Sequence, residues 1–174
     1  GRQDYWACVF GGMQWLEFGQ DWTVRRYEMA VPEWLENGMM LVDVGARSDN
    51  RSVADQLNRD NNELLHMVKM LAHRMRWGIE TDRGLDFVGA CMDYSFAAKV
   101  MLTPFMVTEE VGQVYALGKM AGACGGRLMG AGGGGYMLFL CQDDKWDDVY
   151  EAMFDHGYRP ERVVVDRVGA SWVD

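Results

Sequence analysis

The chain has 174 residues, 49% hydrophobic and 25% charged, a balance that suits one medium globular domain, or one domain with part of another. Its formal net charge of −9 and lack of a basic stripe exclude non-specific nucleic-acid binding, which depends on Lys and Arg neutralising phosphates. No run approaches the roughly 18 apolar residues that a membrane span needs, and Arg2 and Asp4 interrupt any early stretch that a signal peptide would require.

In chain order, residues 3–10 predict a short apolar helix stopped by Gly11-Gly12. Residues 13–18 and 22–29 predict two strands around the hairpin-like Gly19-Gln20-Asp21, and 39–44 predict a third, mostly apolar strand. These early strands are assigned to a sheet different from the later ones. A long helix is expected over 51–77, with Leu57, Leu64, Val68, Leu71 and Met75 at helical spacing and Gly78 as its stop. His66 and His73 on it have no third ligand nearby, so no metal site is expected. A second helix spans 85–101, with Val88, Met92, Phe96 and Val100 on one side and Pro104 ending it. A third begins at the N-cap Thr108, with Glu109 and Glu110 favouring its positive end, and closes at Gly122. After a short strand and a glycine run, 136–141 predicts an apolar strand and Asp144 caps a helix that stops at Gly157. Residues 162–168 predict the last clear strand, with 171–173 as a short final one. The order helix, strand, strand, helix, strand implies an antiparallel α+β sandwich of the split βαβ type.

Chemistry concentrates at Arg127-Leu-Met-Gly-Ala-Gly-Gly-Gly-Gly-Tyr136. A hairpin needs one or two glycines, whereas Gly130, Gly132, Gly133, Gly134 and Gly135 surround only Ala131. Such a loop admits positive φ and a close neighbour, and its successive N–H groups can form an anion-binding concavity. It is not a Walker loop, because no Lys-Ser or Lys-Thr follows, nor a dinucleotide fingerprint, because a strand rather than a helix comes next. Tyr136 and the neighbouring aromatics read as core. Cys8, Cys91, Cys124 and Cys141 have no paired spacing, which points to reduced thiols, most of them small buried hydrophobes, and a cytoplasmic setting.

Residues 125–139 resemble the third signature motif of the GHMP kinases, the family of galactokinase, homoserine kinase, mevalonate kinase and phosphomevalonate kinase. Gly1-Arg2-Gln3-Asp4-Tyr5 is similar to the family's Gly-x-x-Asp segment, which supplies the catalytic aspartate. Phe10 to Phe18 and Val44-Gly45-Ala46-Arg47-Ser48 resemble the heptose-phosphate kinase branch. The resemblance implies a GHMP kinase C-terminal domain over 49–174, ferredoxin-like with extra helices, preceded over 1–48 by a few strands of the N-terminal kinase domain. It implies transfer of the γ-phosphoryl of ATP, with Mg²⁺, to a hydroxyl of a sugar phosphate. Asp4 would orient or deprotonate that hydroxyl. Without the resemblance, Asp4 reads as a helix N-cap at the start of the 3–10 segment. Arg47 and Arg127 would bind the substrate's phosphate, and Gly130 to Gly135 would line the phosphates. Lys99, the remaining candidate cation, lies on a helix where a snorkelling surface position is expected.

Three substitutions depart from the pattern: Tyr5 stands where Gln is usual, Val44 where Thr is, and Arg127 where Lys is. No Gly-Leu-Gly-Ser-Ser loop, which would cradle ATP at a helix start, occurs in the 174 residues, and Gly1 opens the chain mid-motif. The expectation is therefore one half of a kinase that needs the N-terminal half or self-association, and that alone binds ATP and Mg²⁺ weakly.

Overall fold

Helix α1 (Arg2–Phe10) ends where Gly11 and Gly12 turn with φ of 63° and 61°. Strands β1 (Met13–Phe18) and β2 (Val24–Met29) then pair antiparallel, with Phe18 opposite Val24. A computed structural model describes residues 2–46, 61–130 and 132–171. The hairpin loop reaches Thr23, not Asp21, because the Asp21 carboxylate accepts from the N–H and hydroxyl of Thr23 and Trp22 turns left-handed. Pro32 opens a short helix absent from the sequence reading, α2 (Glu33–Gly38), whose Leu35 is buried. It leads directly into β3 (Met39–Asp43).

Helix α3 (Asn62–Glu80) is capped by Asn61, whose Oδ1 accepts from the Leu64 N–H at 3.1 Å. The predicted stretch 51–60 lies outside the described residues. Gly78 does not stop this helix. It lies inside, where a Cβ would meet the Phe87 ring at 2.5 Å, so the residue serves close packing on the next helix. Helix α4 (Gly84–Leu102) buries Val88, Met92 and Phe96 as their spacing predicts. A 3₁₀ turn (Pro104–Met106) follows. Helix α5 (Glu109–Ala121) has the predicted cap, with Thr108 Oγ1 accepting from the Val111 N–H and Gly122 left-handed at φ 111°. Strands β4 (Gly125–Leu128) and β5 (Tyr136–Leu140) flank the glycine run. Helix α6 (Asp143–Asp155) begins one residue before the expected cap Asp144, with Gln142 as N-cap, so Asp144 contributes charge to the first turn instead.

The last strand, β6 (Pro160–Arg162), is shorter than the predicted 162–168. Beyond it the donors leave the ladder: Val165 N–H bonds a Glu36 carboxylate oxygen at 2.9 Å, and Arg167 pairs with the same carboxylate. The tail then closes on α1, with Gly12 N–H donating to Asp166 O and Ala170 N–H to Cys8 O. Of the predicted strand 171–173, Ser171 is not in a strand and the rest lies outside the described residues.

The larger sheet has the order β4-β5-β3-β6, with every neighbouring pair antiparallel. Strands β5 and β6 are thus parallel, joined by α6, with β3 filling the split between them. This is the expected split βαβ arrangement, but the assignment of all early strands to another sheet holds only for β1 and β2. Strand β3 is apolar because it is an inner strand: Met40 and Val42 enter a core with Met137, Phe139, Phe96, Val111, Val114, Val149 and Met153. Met39, Leu138 and Leu140 belong to a second cluster with Leu35, Ile79, Leu85, Val88 and Met92.

Candidate functional site

The glycine run is the bend between β4 and β5, and its backbone needs glycine. Gly130, Gly132, Gly133, Gly134 and Gly135 all have positive φ, from 75° to 133°. A Cβ on Gly132 would lie 2.1 Å from Met106 Cγ, and one on Gly134 would lie 2.8 Å from Ala46 O. Gly133 N–H donates to Met106 O at 2.9 Å, Gly135 N–H to Gly45 O at 2.8 Å, and Val44 N–H returns to Gly135 O at 2.8 Å. Two of the amides that could face an anion are therefore spent on docking the loop against the segment after β3 and the 3₁₀ turn. The loop is a packed part of the sheet's end, not a flexible flap. Ala131 lies outside the described residues, as does Arg47.

Two cations stand beside this loop. Arg127 projects from β4, on the sheet face opposite that of Gly126, whose own position lies against the Phe139 ring. Its Nε is buried without a hydrogen-bond partner among the described residues, and burial lowers the guanidinium pKa from the ordinary arginine value. Lys99, in the last turn of α4, reaches the Gly130 carbonyl at 3.5 Å. Burial, with repulsion from Arg127 added, pulls its ammonium down to about 8. Lys99 is half-buried rather than a snorkelling surface residue. The sequence offered one signal for this: it is the one basic residue in an otherwise apolar-rich helix of 19 residues. Tyr136, expected in the core, is exposed, whereas Phe139 is buried.

The nearby acids are engaged. Asp93 pairs with Lys119 at 2.8 Å and accepts from the Gly126 N–H at 2.8 Å, tying α4, α5 and β4 together. Asp43 accepts from the Gly45 N–H at 2.9 Å and shapes the turn beneath the loop. Among the described residues no group of three or more His, Cys, Asp and Glu converges as a metal ion held by the protein alone would need.

Asp4 sits exposed in the first turn of α1. Helix α1 contacts β1 and the tail at 166–170, whereas the loop contacts residues 44–46 and 106. These contacts place α1 beside the tail and the loop at the end of the larger sheet. Tyr5, Val9 and Phe10 lie exposed around Asp4's helix and line a shallow apolar depression with Trp6.

The titrating groups near the core give the fold a signed response to pH. Burial pushes Cys124 up to about 11 and Cys141 up to about 12; burial and Asp93 push Tyr115 to about 12, and a hydrogen bond to Glu110 pushes Tyr158 to about 12. Above about pH 9 the unfolded chain loses these protons before the folded one, so stability falls as pH rises. Lys99 acts in the opposite sense. Between about pH 8 and 10.5 the unfolded chain keeps a proton that the folded one has lost, which raises stability over that window. Four groups outweigh one, so the melting midpoint measured from pH 7 to 11 is expected to fall above about pH 9, and to fall more steeply in Lys99→Met.

Comparison with known proteins agrees with this geometry. Residues 89–159, covering α4 to the approach to β6, match the family model described as GHMP kinases C terminal. A curated protein, the D-glycero-alpha-D-manno-heptose 7-phosphate kinase of Campylobacter jejuni, is 23% identical over 163 residues, which is 88% of this chain and 48% of that one. Among solved structures, L. major mevalonate kinase in complex with R-mevalonate superposes with a TM-score of 0.76 at 18% identity, covering 98% of this chain and 53% of that one. A D-glycero-D-manno-heptose 1-phosphate kinase from Bacteriodes thetaiotaomicron superposes at 0.71 with 18% identity, covering 97% and 47%. The chain thus spans about half the length of the relatives it matches, and its fold is that of GHMP kinase C-terminal domain neighbours.

Proposed function

We propose, from the premise that this chain carries a GHMP kinase C-terminal domain, that it is the C-terminal part of an ATP-dependent sugar-phosphate kinase. The acceptor would be a heptose phosphate, phosphorylated at its anomeric hydroxyl and drawn from a cytoplasmic pool. Residues 1–48 are read as what remains of the N-terminal kinase domain and 49–174 as the C-terminal domain, with β3 the strand that builds the first segment into the sheet of the second. Asp4 would orient or deprotonate the acceptor hydroxyl, while Arg47 and Arg127 would hold its phosphate. ATP and Mg²⁺ would be held chiefly by the other half, which would seat over α1. That half supplies the phosphoryl donor, and this chain's residues position the acceptor.

The observation that carries this reading is the packed glycine bend with Arg127 near it, its buried Nε without a partner among the described residues, inside the segment that matches the family model. The test is complementation. The N-terminal half of a two-domain heptose-phosphate kinase, added in trans, should confer ATP-dependent phosphorylation of a heptose phosphate that neither part shows alone. Binding of both halves without any phosphoryl transfer to sugar phosphates would sink the reading. That outcome would favour a second reading, a non-catalytic binding or assembly module, which the exposed apolar residues of α1 support. In it, self-association or a separate protein covers Tyr5, Val9 and Phe10.

A further inference from the structure

We propose that Lys99 and Arg127 together form a binding site for one tetrahedral, dianionic phosphate group, the Arg127 side chain shifting to admit it. The two side chains come from different elements, the last turn of α4 and the middle of β4; Lys99 reaches the Gly130 carbonyl, two residues past β4, and the charge of Arg127 acts on it. Such convergence of like charges is unfavourable by itself, and each group shows the strain of it. Among the described residues the Arg127 Nε is buried with no acceptor, and the one hydrogen-bond partner of the Lys99 ammonium is the Gly130 carbonyl at 3.5 Å. No described carboxylate relieves them: Asp93 is committed to Lys119 and the Gly126 amide, and Asp43 to the Gly45 amide. Burial lowers the pKa of both cations, and Arg127 lowers that of Lys99 further, so the surroundings favour loss of positive charge until a counter-ion arrives.

A phosphate dianion answers all of these at once. Its oxygens accept from the guanidinium fork, including the orphaned Nε–H, while the ammonium supplies a second charge from the helix side. A carboxylate carries one charge and would neutralise only one of the pair. That the phosphate belongs to the sugar acceptor, rather than to the nucleotide, rests on the kinase reading above. The anion site itself does not.

The experiment uses the whole chain and inorganic phosphate at pH 7, following the Arg127 Nε–Hε resonance and the melting midpoint. The expected result is a saturable shift of that resonance and a rise in the midpoint. Lys99→Met and Arg127→Met should each weaken binding at least tenfold, and Arg127→Lys, which keeps the charge but loses the fork, should weaken it several-fold. Without phosphate, Arg127→Met should melt no lower than the parent, because it removes an unpaired charge, whereas a structural arginine would lower the midpoint. No saturable shift up to about 50 mM, where even a millimolar site is filled, would overturn the proposal. So would binding that survives Lys99→Met and Arg127→Lys within twofold, which also decides the matter if Arg127→Met does not fold. Mannose 6-phosphate and ADP then separate the two sources of phosphate. Tighter binding of mannose 6-phosphate supports the acceptor assignment, and tighter binding of ADP upholds the anion site while overturning that assignment. Because no turnover is read, an inactive complemented kinase leaves this result standing.

Discussion

Asp4→Asn, introduced into the complemented two-part kinase, is expected to lower kcat by about 10²–10⁴-fold while the KM for the acceptor changes little. The size follows from the role. A positioned carboxylate that orients or accepts the proton of an attacking hydroxyl acts only as that bond forms, so its loss appears in turnover and not in ground-state binding. The competing role is electrostatic: Asp4 lies in the first turn of α1, where a carboxylate favours the helix by about 0.3–1 kcal/mol. Asn keeps the size and hydrogen-bonding capacity of the side chain, so the fold of α1 and its contacts with Cys8, Gly11 and the tail should persist. The melting midpoint and kcat are therefore read together. An unchanged kcat in a normally folded Asp4→Asn variant would remove the catalytic assignment and leave the helix-terminal one.

The largest expected effect on stability is at a residue with no part in chemistry. In Gly125→Val, the added Cβ would lie 2.1 Å from the carbonyl oxygen of Gly89, 2.5 Å from its carbonyl carbon and 2.6 Å from its Cα. A flexible side chain could swing aside, but these are backbone atoms of α4. The converse contact is as tight, since a Cβ on Gly89 would meet the carbonyl carbon of Cys124 at 2.7 Å. Helix and strand therefore rest backbone against backbone, and this contact sets how close Lys99 and Arg127 can come. Overpacking here is expected to cost about 3 kcal/mol or more. At about 2–4 °C per kcal/mol for a chain of this size, the midpoint drops by about 6–12 °C. Gly112→Ala, in α5 with only Val107 Cγ1 near at 3.7 Å, is the control and should raise stability by about 0.5–1 kcal/mol. A Gly125→Val chain that melts with the parent would mean that the helix does not ride on the strand as described.

Much of the architecture is written in local chemistry. Thr108 with Glu109 and Glu110 ahead of an apolar run, and Gly122 behind it, specify a helix whatever surrounds it, and that helix forms as read. The spacing of Val88, Met92 and Phe96 likewise states which side of α4 is buried. The glycine run announces a backbone that other residues would strain, and every described glycine in it does adopt positive φ. These features are legible because each depends on residues within a few positions of one another.

Other features depend on what lies across the fold. Gly78 looks like a stop because glycine often ends helices, but the ring of Phe87 gives it a different reason to be small. The stretch 163–168 looks like strand, but Glu36 accepts from the Val165 N–H and the Asp166 carbonyl accepts from the Gly12 N–H just past α1, which no local pattern announces. Lys99 looks like a surface lysine until β4 brings Arg127 beside it. The sequence by itself determined where helices start, where the chain must bend without side chains, and which family its motifs resemble. Only the tertiary structure decided that β3 fills the split between β5 and β6, that two of the glycine loop's amides are spent on packing, and that the charge of Arg127 acts on Lys99. The reason is physical: capping, periodicity and backbone strain act over a few residues, whereas strand partners and the sharing of charge are settled only when distant segments meet.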